Sequence, residues 1–134
     1  MDINELFDLV HRENASDLLI SAGAPPILRI HGQLYRHPAD ALNATEAQEL
    51  VYAFLTPGQR ERFERDKELD FSFEAEGKRR FRVNVYYQKG AVTAALRPIP
   101  EIIPALEGLG LPDSLRNLAQ ARQGLVLVTG PTGS

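Results

Sequence analysis

Arg80-Phe81-Arg82-Val83-Asn84-Val85-Tyr86-Tyr87 and Ala91-Val92-Thr93-Ala94-Ala95-Leu96-Arg97-Pro98 flank the short turn Gln88-Lys89-Gly90. Both runs alternate apolar with polar or small residues, the mark of strands buried on one face only. Phe81, Val83, Val85 and Tyr87 form one face of the first run, and Arg80, Arg82, Asn84 and Tyr86 form the other. In the second run Val92, Ala94 and Leu96 alternate with Ala91, Thr93, Ala95 and Arg97. A one-residue slip would mix the faces, so the pairing must join the two apolar sets. A turn centred on Gln88-Lys89 that pairs Tyr87 with Gly90 sets Arg82 opposite Ala95 and Arg80 opposite Arg97.

Upstream, Leu69-Asp70-Phe71-Ser72-Phe73-Glu74 alternates in the same way and turns at Glu76-Gly77. The chain begins with an amphipathic helix from Asp2 to Glu13, with Ile3, Leu6, Phe7 and Val10 on one stripe and Asn14 as its left-handed stop. Ser16 to Ser21 reads as a strand. Ile27 to Ile30 and Gln33 to Arg36 read as a hairpin around His31-Gly32. Asn43-Ala44-Thr45-Glu46 and Thr56-Pro57-Gly58-Gln59 are capping boxes. The first opens a helix burying Ala47, Leu50, Val51 and Phe54, and the second a short charged helix to about Arg65. Helix, strands, two helices and an antiparallel meander make an α+β fold, with five or six strands and the helices on one face.

Composition narrows the function. There is no cysteine, so disulfides and thiolate metal sites are excluded. His11, His31 and His37 lack metal-ligand spacing. Net charge is −3 and the pI about 5.6, against a general nucleic-acid binder. No signal peptide and no apolar run of membrane-spanning length is present.

Within this acidic chain, Lys78, Arg79, Arg80, Arg82, Lys89 and Arg97 occur with no acid between Gly77 and Pro100. Arg80, Arg82 and Arg97 share the polar face of the meander, flanked by small residues. Like charges set opposite one another destabilise a sheet, and an anion across them relieves this through the planar guanidinium forks. The bland alternative is a solvated basic hairpin. Single-stranded nucleic-acid binding by Arg80, Arg82, Tyr86 and Tyr87 has the right residue types, but the acidic balance opposes it. The acids Glu61, Glu64, Asp66, Glu68 and Asp70 read as a solvated face, and Ser16-Asp17 as a turn and strand start.

Pro98, Pro100 and Pro104 interrupt regular structure from Ile99 to Gly110. Pro112 then opens a helix to about Arg122 that buries Leu115, Leu118 and Ala119. Leu125-Val126-Leu127-Val128 reads as a parallel-sheet strand, and Gly130-Pro131-Thr132-Gly133-Ser134 begins the phosphate loop G-x-x-x-x-G-K-[ST]. Three units follow: residues 1–98, a linker with a connecting helix at 99–123, and the start of a P-loop domain at 124–134. The sequence stops inside the motif, before its Lys and Ser/Thr. These 134 residues are therefore read as the front part of a larger protein, inactive alone.

With these residues in hand, the chain resembles the N-terminal part of the twitching-motility retraction ATPases of type IV pili, the PilT-like branch of the secretion ATPases. The resemblance runs in order through Ala15-Ser16-Asp17-Leu18, Gly23-Ala24-Pro25-Pro26, Leu69-Asp70-Phe71-Ser72-Phe73, Arg80-Phe81-Arg82-Val83-Asn84, Leu96-Arg97-Pro98-Ile99-Pro100 and Arg122 through Ser134. It implies a PAS-like N-terminal domain followed by a RecA-like ATPase domain. It implies a hexameric ring that uses ATP and Mg²⁺, works at the cytoplasmic face of the inner membrane and acts on a pilus platform protein. Neither a tightly bound cofactor nor a metal is expected on these residues themselves. By motif position the resemblance implies that Arg82 and Arg97, and after them Arg80, approach the nucleotide phosphates together with Gly130 to Ser134. Leu19 stands where the family often has His. An accessory pilus or type II secretion ATPase, and a PAS-like ligand sensor, are the alternative functions.

Overall fold

The computed structural model describes residues 1–131. Helix α1 (Ile3–Arg12) starts where the Asp2 carboxylate accepts the Asn4 N–H at 3.0 Å, so an otherwise orphaned donor is satisfied. It ends at Asn14, whose φ of 50° is left-handed. Strands β1 (Asp17–Ile20), β2 (Ile27–Ile30) and β3 (Gln33–Arg36) follow. Helix α2 (Ala44–Tyr52) opens with both halves of the Asn43–Glu46 box formed. Helix α3 (Pro57–Asp66) opens with both halves of the Thr56–Gln59 box and with Pro57 in its first turn. The long meander is β4 (Glu68–Ala75), β5 (Arg79–Gln88) and β6 (Ala91–Ile99), and α4 (Ser114–Ala119) comes last.

All six strands form one antiparallel sheet in the order β3-β2-β1-β6-β5-β4. The first strand therefore lies beside the last. Pairing of Leu18 with Leu96 and Ile20 with Ala94 joins the two halves of the chain.

The helices cover one face. Phe7 of α1 meets Phe81 at 4.8 Å, Phe73 at 5.6 Å and Phe54 at 5.9 Å between ring centroids. Phe63 of α3 is fully buried and stacks on Tyr87 at 4.8 Å. Phe81, Val83 and Val85 of β5 and Val92, Ala94 and Leu96 of β6 complete the core, as their alternation requires. The opposite face carries no helix among the described residues. Asp70, Arg82 and Arg97 stand exposed on it.

The hairpin register differs from the sequence expectation by two residues. Gln88 pairs with Ala91, so the turn is Lys89-Gly90 and Arg82 stands opposite Arg97, with Arg80 opposite Ile99. The two-residue type I′ turn, one of the two that match strand twist, has φ > 0 at both central positions. Lys89 at 50° and Gly90 at 78° supply it, as His31 at 48° and Gly32 at 79° do in the β2–β3 hairpin. A shift of two leaves every side chain on its face, so alternation cannot detect it.

The C-terminal segment also departs from expectation. Helix α4 is only six residues long, with Leu118 exposed and no buried residue. Leu125 to Val128 form no strand and are 54–91% exposed. A parallel strand is stable only between neighbours, and residues 1–131 provide none. Of the phosphate-loop residues, Gly130 and Pro131 are exposed coil, whereas Thr132, Gly133 and Ser134 lie outside the described residues.

Candidate functional site

The polar face of the sheet gathers charges that the sequence keeps far apart. Asp17 comes from β1, Arg97 from β6, Arg82 from β5 and Asp70 from β4. These are four adjacent strands: Asp17, Arg97 and Arg82 lie in one row across the sheet, and Asp70, in register with Asn84, reaches Arg82 diagonally. Arg29 of β2 extends the row, because it pairs in register with Asp17.

Each central arginine is held by one edge of its guanidinium. Arg82 donates to Asp70 from Nη2 at 2.9 Å and from Nε at 3.4 Å. Arg97 donates to Oδ1 of Asp17 from Nη2 at 3.1 Å and Nε at 3.2 Å. A guanidinium carries five N–H donors, so each arginine keeps donors that these contacts do not use. The two carboxylates also answer the repulsion expected of two arginines in direct opposition. The Arg82 hydrogen bond, more than its charge alone, holds the Asp70 carboxyl below the usual carboxylate range. Reciprocally, the Asp70 contact raises Arg82 above its ordinary value.

Between the arginines lies a shallow hollow of ≈ 240 Å³, lined by Asp17, Asp70, Arg82, Asn84, Ala95, Leu96 and Arg97. Ala95 on its floor is small, which leaves room above the sheet. The hollow has the size and donors to receive a phosphate group. It does not fit a metal ion: both carboxylates are taken by arginines. Among the described residues no group of three or more His, Cys, Asp or Glu side chains has metal-binding geometry.

Arg80 shares the face with Arg82 but not the hollow. It lines a separate cavity of ≈ 400 Å³ at the sheet end, with His11, Lys78, Phe81 and Ile99 among the lining residues. Leu19 is half-buried between Ile27 and Ala95 on the polar face.

Two participants escaped sequence reasoning. The sequence pattern places Asp70 in a solvated group of acids, although the β4 alternation also puts it on the polar face. For Asp17 the sequence pattern indicates only a strand start. Asp17 instead bridges Arg97, Arg29 at 3.6 Å and the Ser16 hydroxyl, which donates at 3.0 Å. Only the β1–β6 pairing, spanning most of the chain, brings Asp17 to Arg97.

No protein-family model matches the chain. Over all 134 residues it is 41% identical to the type IV pilus retraction ATPase PilT of Pseudomonas aeruginosa, covering 100% of this chain and 39% of that protein. It is 36% identical over 134 residues to the type IV pilus ATPase PilU of the same organism, covering 100% of this chain and 35% of that one. Identity to a twitching motility protein of Neisseria gonorrhoeae is 37% over 109 residues, which is 81% of this chain and 29% of that protein. The crystal structure of the pilus retraction motor PilT with bound ADP superposes with a TM-score of 0.76 at 41% identity, covering 100% of this chain and 39% of that one. The ATPase DotB of Legionella pneumophila superposes with a TM-score of 0.78 at 27% identity, over 98% of this chain and 38% of that one. The chain thus spans well under half the length of the curated relatives it matches. No helix among the described residues is long and apolar enough to cross a membrane.

Proposed function

We infer that this chain, which belongs with the N-terminal region of the PilT-like type IV pilus ATPases, is the arginine-bearing module of a motor that powers pilus retraction. The observation that carries the reading is the direct opposition of Arg82 and Arg97 on a sheet face that no helix among the described residues covers. Phosphoryl transfer depends on positioning and on neutralising charge spread over phosphate oxygens. Two guanidiniums with unused N–H donors match that need. Arg80, in its own cavity, is the third and more peripheral candidate.

In the proposed motor, residues 1–98 form the module, 99–123 link it, and 124–134 begin the ATPase domain whose phosphate loop includes Gly130 to Ser134. ATP with Mg²⁺ then lies between the two domains, the metal being held from the ATPase side. Movement of the module against that domain reports nucleotide state around a hexameric ring. The ring acts on a pilus platform protein at the cytoplasmic face of the inner membrane. The solved PilT structure with bound ADP supports the nucleotide part of this proposal.

The test is turnover by a chain continued through the ATPase domain. Arg82→Gln and Arg97→Gln are expected to lower ATP hydrolysis while the urea midpoint stays near the wild-type value. The 134-residue chain alone is expected to show no turnover. Normal folding with unchanged turnover in both variants would refute the assignment.

A further inference from the structure

The two arginines of the hollow are not held alike. Asp17, with its side chain 26% exposed, is shared among Arg97, Arg29 and the Ser16 hydroxyl. It sits in the middle of the sheet, between β2 and β6. Asp70 is 49% exposed, lies on the edge strand β4, and has Arg82 as its one side-chain hydrogen-bond partner among the described residues. Arg82 is 69% exposed and Arg97 60%, so the difference between them lies in the carboxylates that hold them. Contacts between exposed ions are weak and easily exchanged, whereas a carboxylate with several partners is not.

We propose that Arg97 is a fixed phosphate contact and Arg82 a switching one, which Asp70 holds on the sheet until an incoming polyphosphate takes it. This rests on the reading of the hollow as a phosphate site and assigns its two arginines different duties. The physical basis is competition. Asp70 engages the Nε–Nη2 edge of Arg82, one of the edges by which a guanidinium grips an oxyanion bidentately. A phosphate using that edge must displace the carboxylate. A phosphate using the opposite edge still meets a neighbouring negative charge. With two arginines and two aspartates the hollow is close to neutral, which disfavours weakly charged anions and rewards one that places several charges between the forks. Asp70 is thus a positioning residue acting through Arg82, and its carboxylate sets the threshold for capture.

The test uses the 134-residue chain with inorganic tripolyphosphate at low ionic strength, followed by titration of the arginine side-chain N–H resonances. Asp70→Asn keeps an acceptor for Arg82 but removes the charge. It is expected to tighten tripolyphosphate binding about two- to fivefold, the range of an exposed pair, with the largest shifts at Arg82. Glu68→Gln is the control for a general field effect, because Glu68 lies on the same strand and accepts from Asn84 at 3.1 Å instead of from an arginine. It is expected to change binding by less than twofold. Binding that weakens or stays unchanged in Asp70→Asn, while Arg82→Gln and Arg97→Gln still weaken it, overturns the switching role alone. Equal tightening by Glu68→Gln overturns it as well. Binding that neither arginine variant alters, or no binding by wild type and Asp70→Asn together, overturns the phosphate reading and the switch with it.

Discussion

Replacing Asp17 with Ala tests whether the charged row is part of the fold. One oxygen of this carboxylate accepts two N–H groups of Arg97, at 3.1 and 3.2 Å. The other accepts the Ser16 hydroxyl at 3.0 Å and lies 3.6 Å from Nε of Arg29. That Nε is buried and has no hydrogen-bond partner among the described residues, so Asp17 is its charge compensation. Alanine leaves Arg29, Arg97 and Arg82 on three strands with no acid between them. The serine loses least, because its hydroxyl also reaches the Arg29 carbonyl at 3.3 Å. Losing hydrogen bonds to a charged group and stranding a partly buried donor costs about 1.5–3 kcal/mol. Arg97→Gln is milder: Arg97 is exposed, Asp17 keeps Arg29, and repulsion from Arg82 falls. Its expected change is less than about 1 kcal/mol in either direction. Urea denaturation followed by circular dichroism reads both. At a slope near 2 kcal/mol per molar, Asp17→Ala lowers the midpoint by about 1 M. A midpoint within 0.2 M of wild type, at unchanged slope (about 0.4 kcal/mol), would show that Asp17 contributes no more than an ordinary surface acid.

Phe7→Ala removes the ring that meets three other phenylalanines across the α1–sheet interface, and it should lower stability by about 3–5 kcal/mol in the same assay. A loss under about 1 kcal/mol would mean that the aromatic cluster closes over the gap. Because Arg82 depresses the Asp70 pKa, pairing with Asp70 stabilises the fold above the ordinary carboxylate value of about 3.9 and is lost only as pH falls through the lower folded value. Carboxyl ¹³C titration should place Asp70 below that value and return it there in Arg82→Gln; an unmoved midpoint contradicts the ion pair. A chain ending at Arg122 should unfold at the same urea concentration as the whole, since the removed Leu125 to Val128 are exposed. It should also self-associate less, because the exposed apolar run is gone; equal association by sedimentation would clear that run of the effect.

Much of the fold was legible locally because its causes are local. The Asn43–Glu46 and Thr56–Gln59 boxes close within four residues, so reading those side chains is enough to start both helices. Alternation in β4, β5 and β6 assigns every side chain to a face, since successive residues of a pleated strand point oppositely. That placed Arg82 and Arg97 together on the polar side. Alternation is blind to a shift of two, however. The opposition of Arg82 to Arg97 was decided by the turn, where Lys89 and Gly90 both take positive φ. The apolar pattern of Leu115 and Leu118 likewise shows only that a helix has a face to bury, not that anything in these residues covers it. Asp17 and Asp70 became partners of the arginines only through strand neighbours. The β1–β6 pairing carries Asp17 across most of the chain to Arg97, and the β4–β5 pairing sets Asp70 diagonally across from Arg82 on the same face. Such contacts depend on the free energy of closing long loops against burial over the whole sheet. No local window contains that balance, so the residues could be read one by one while their charge row could not.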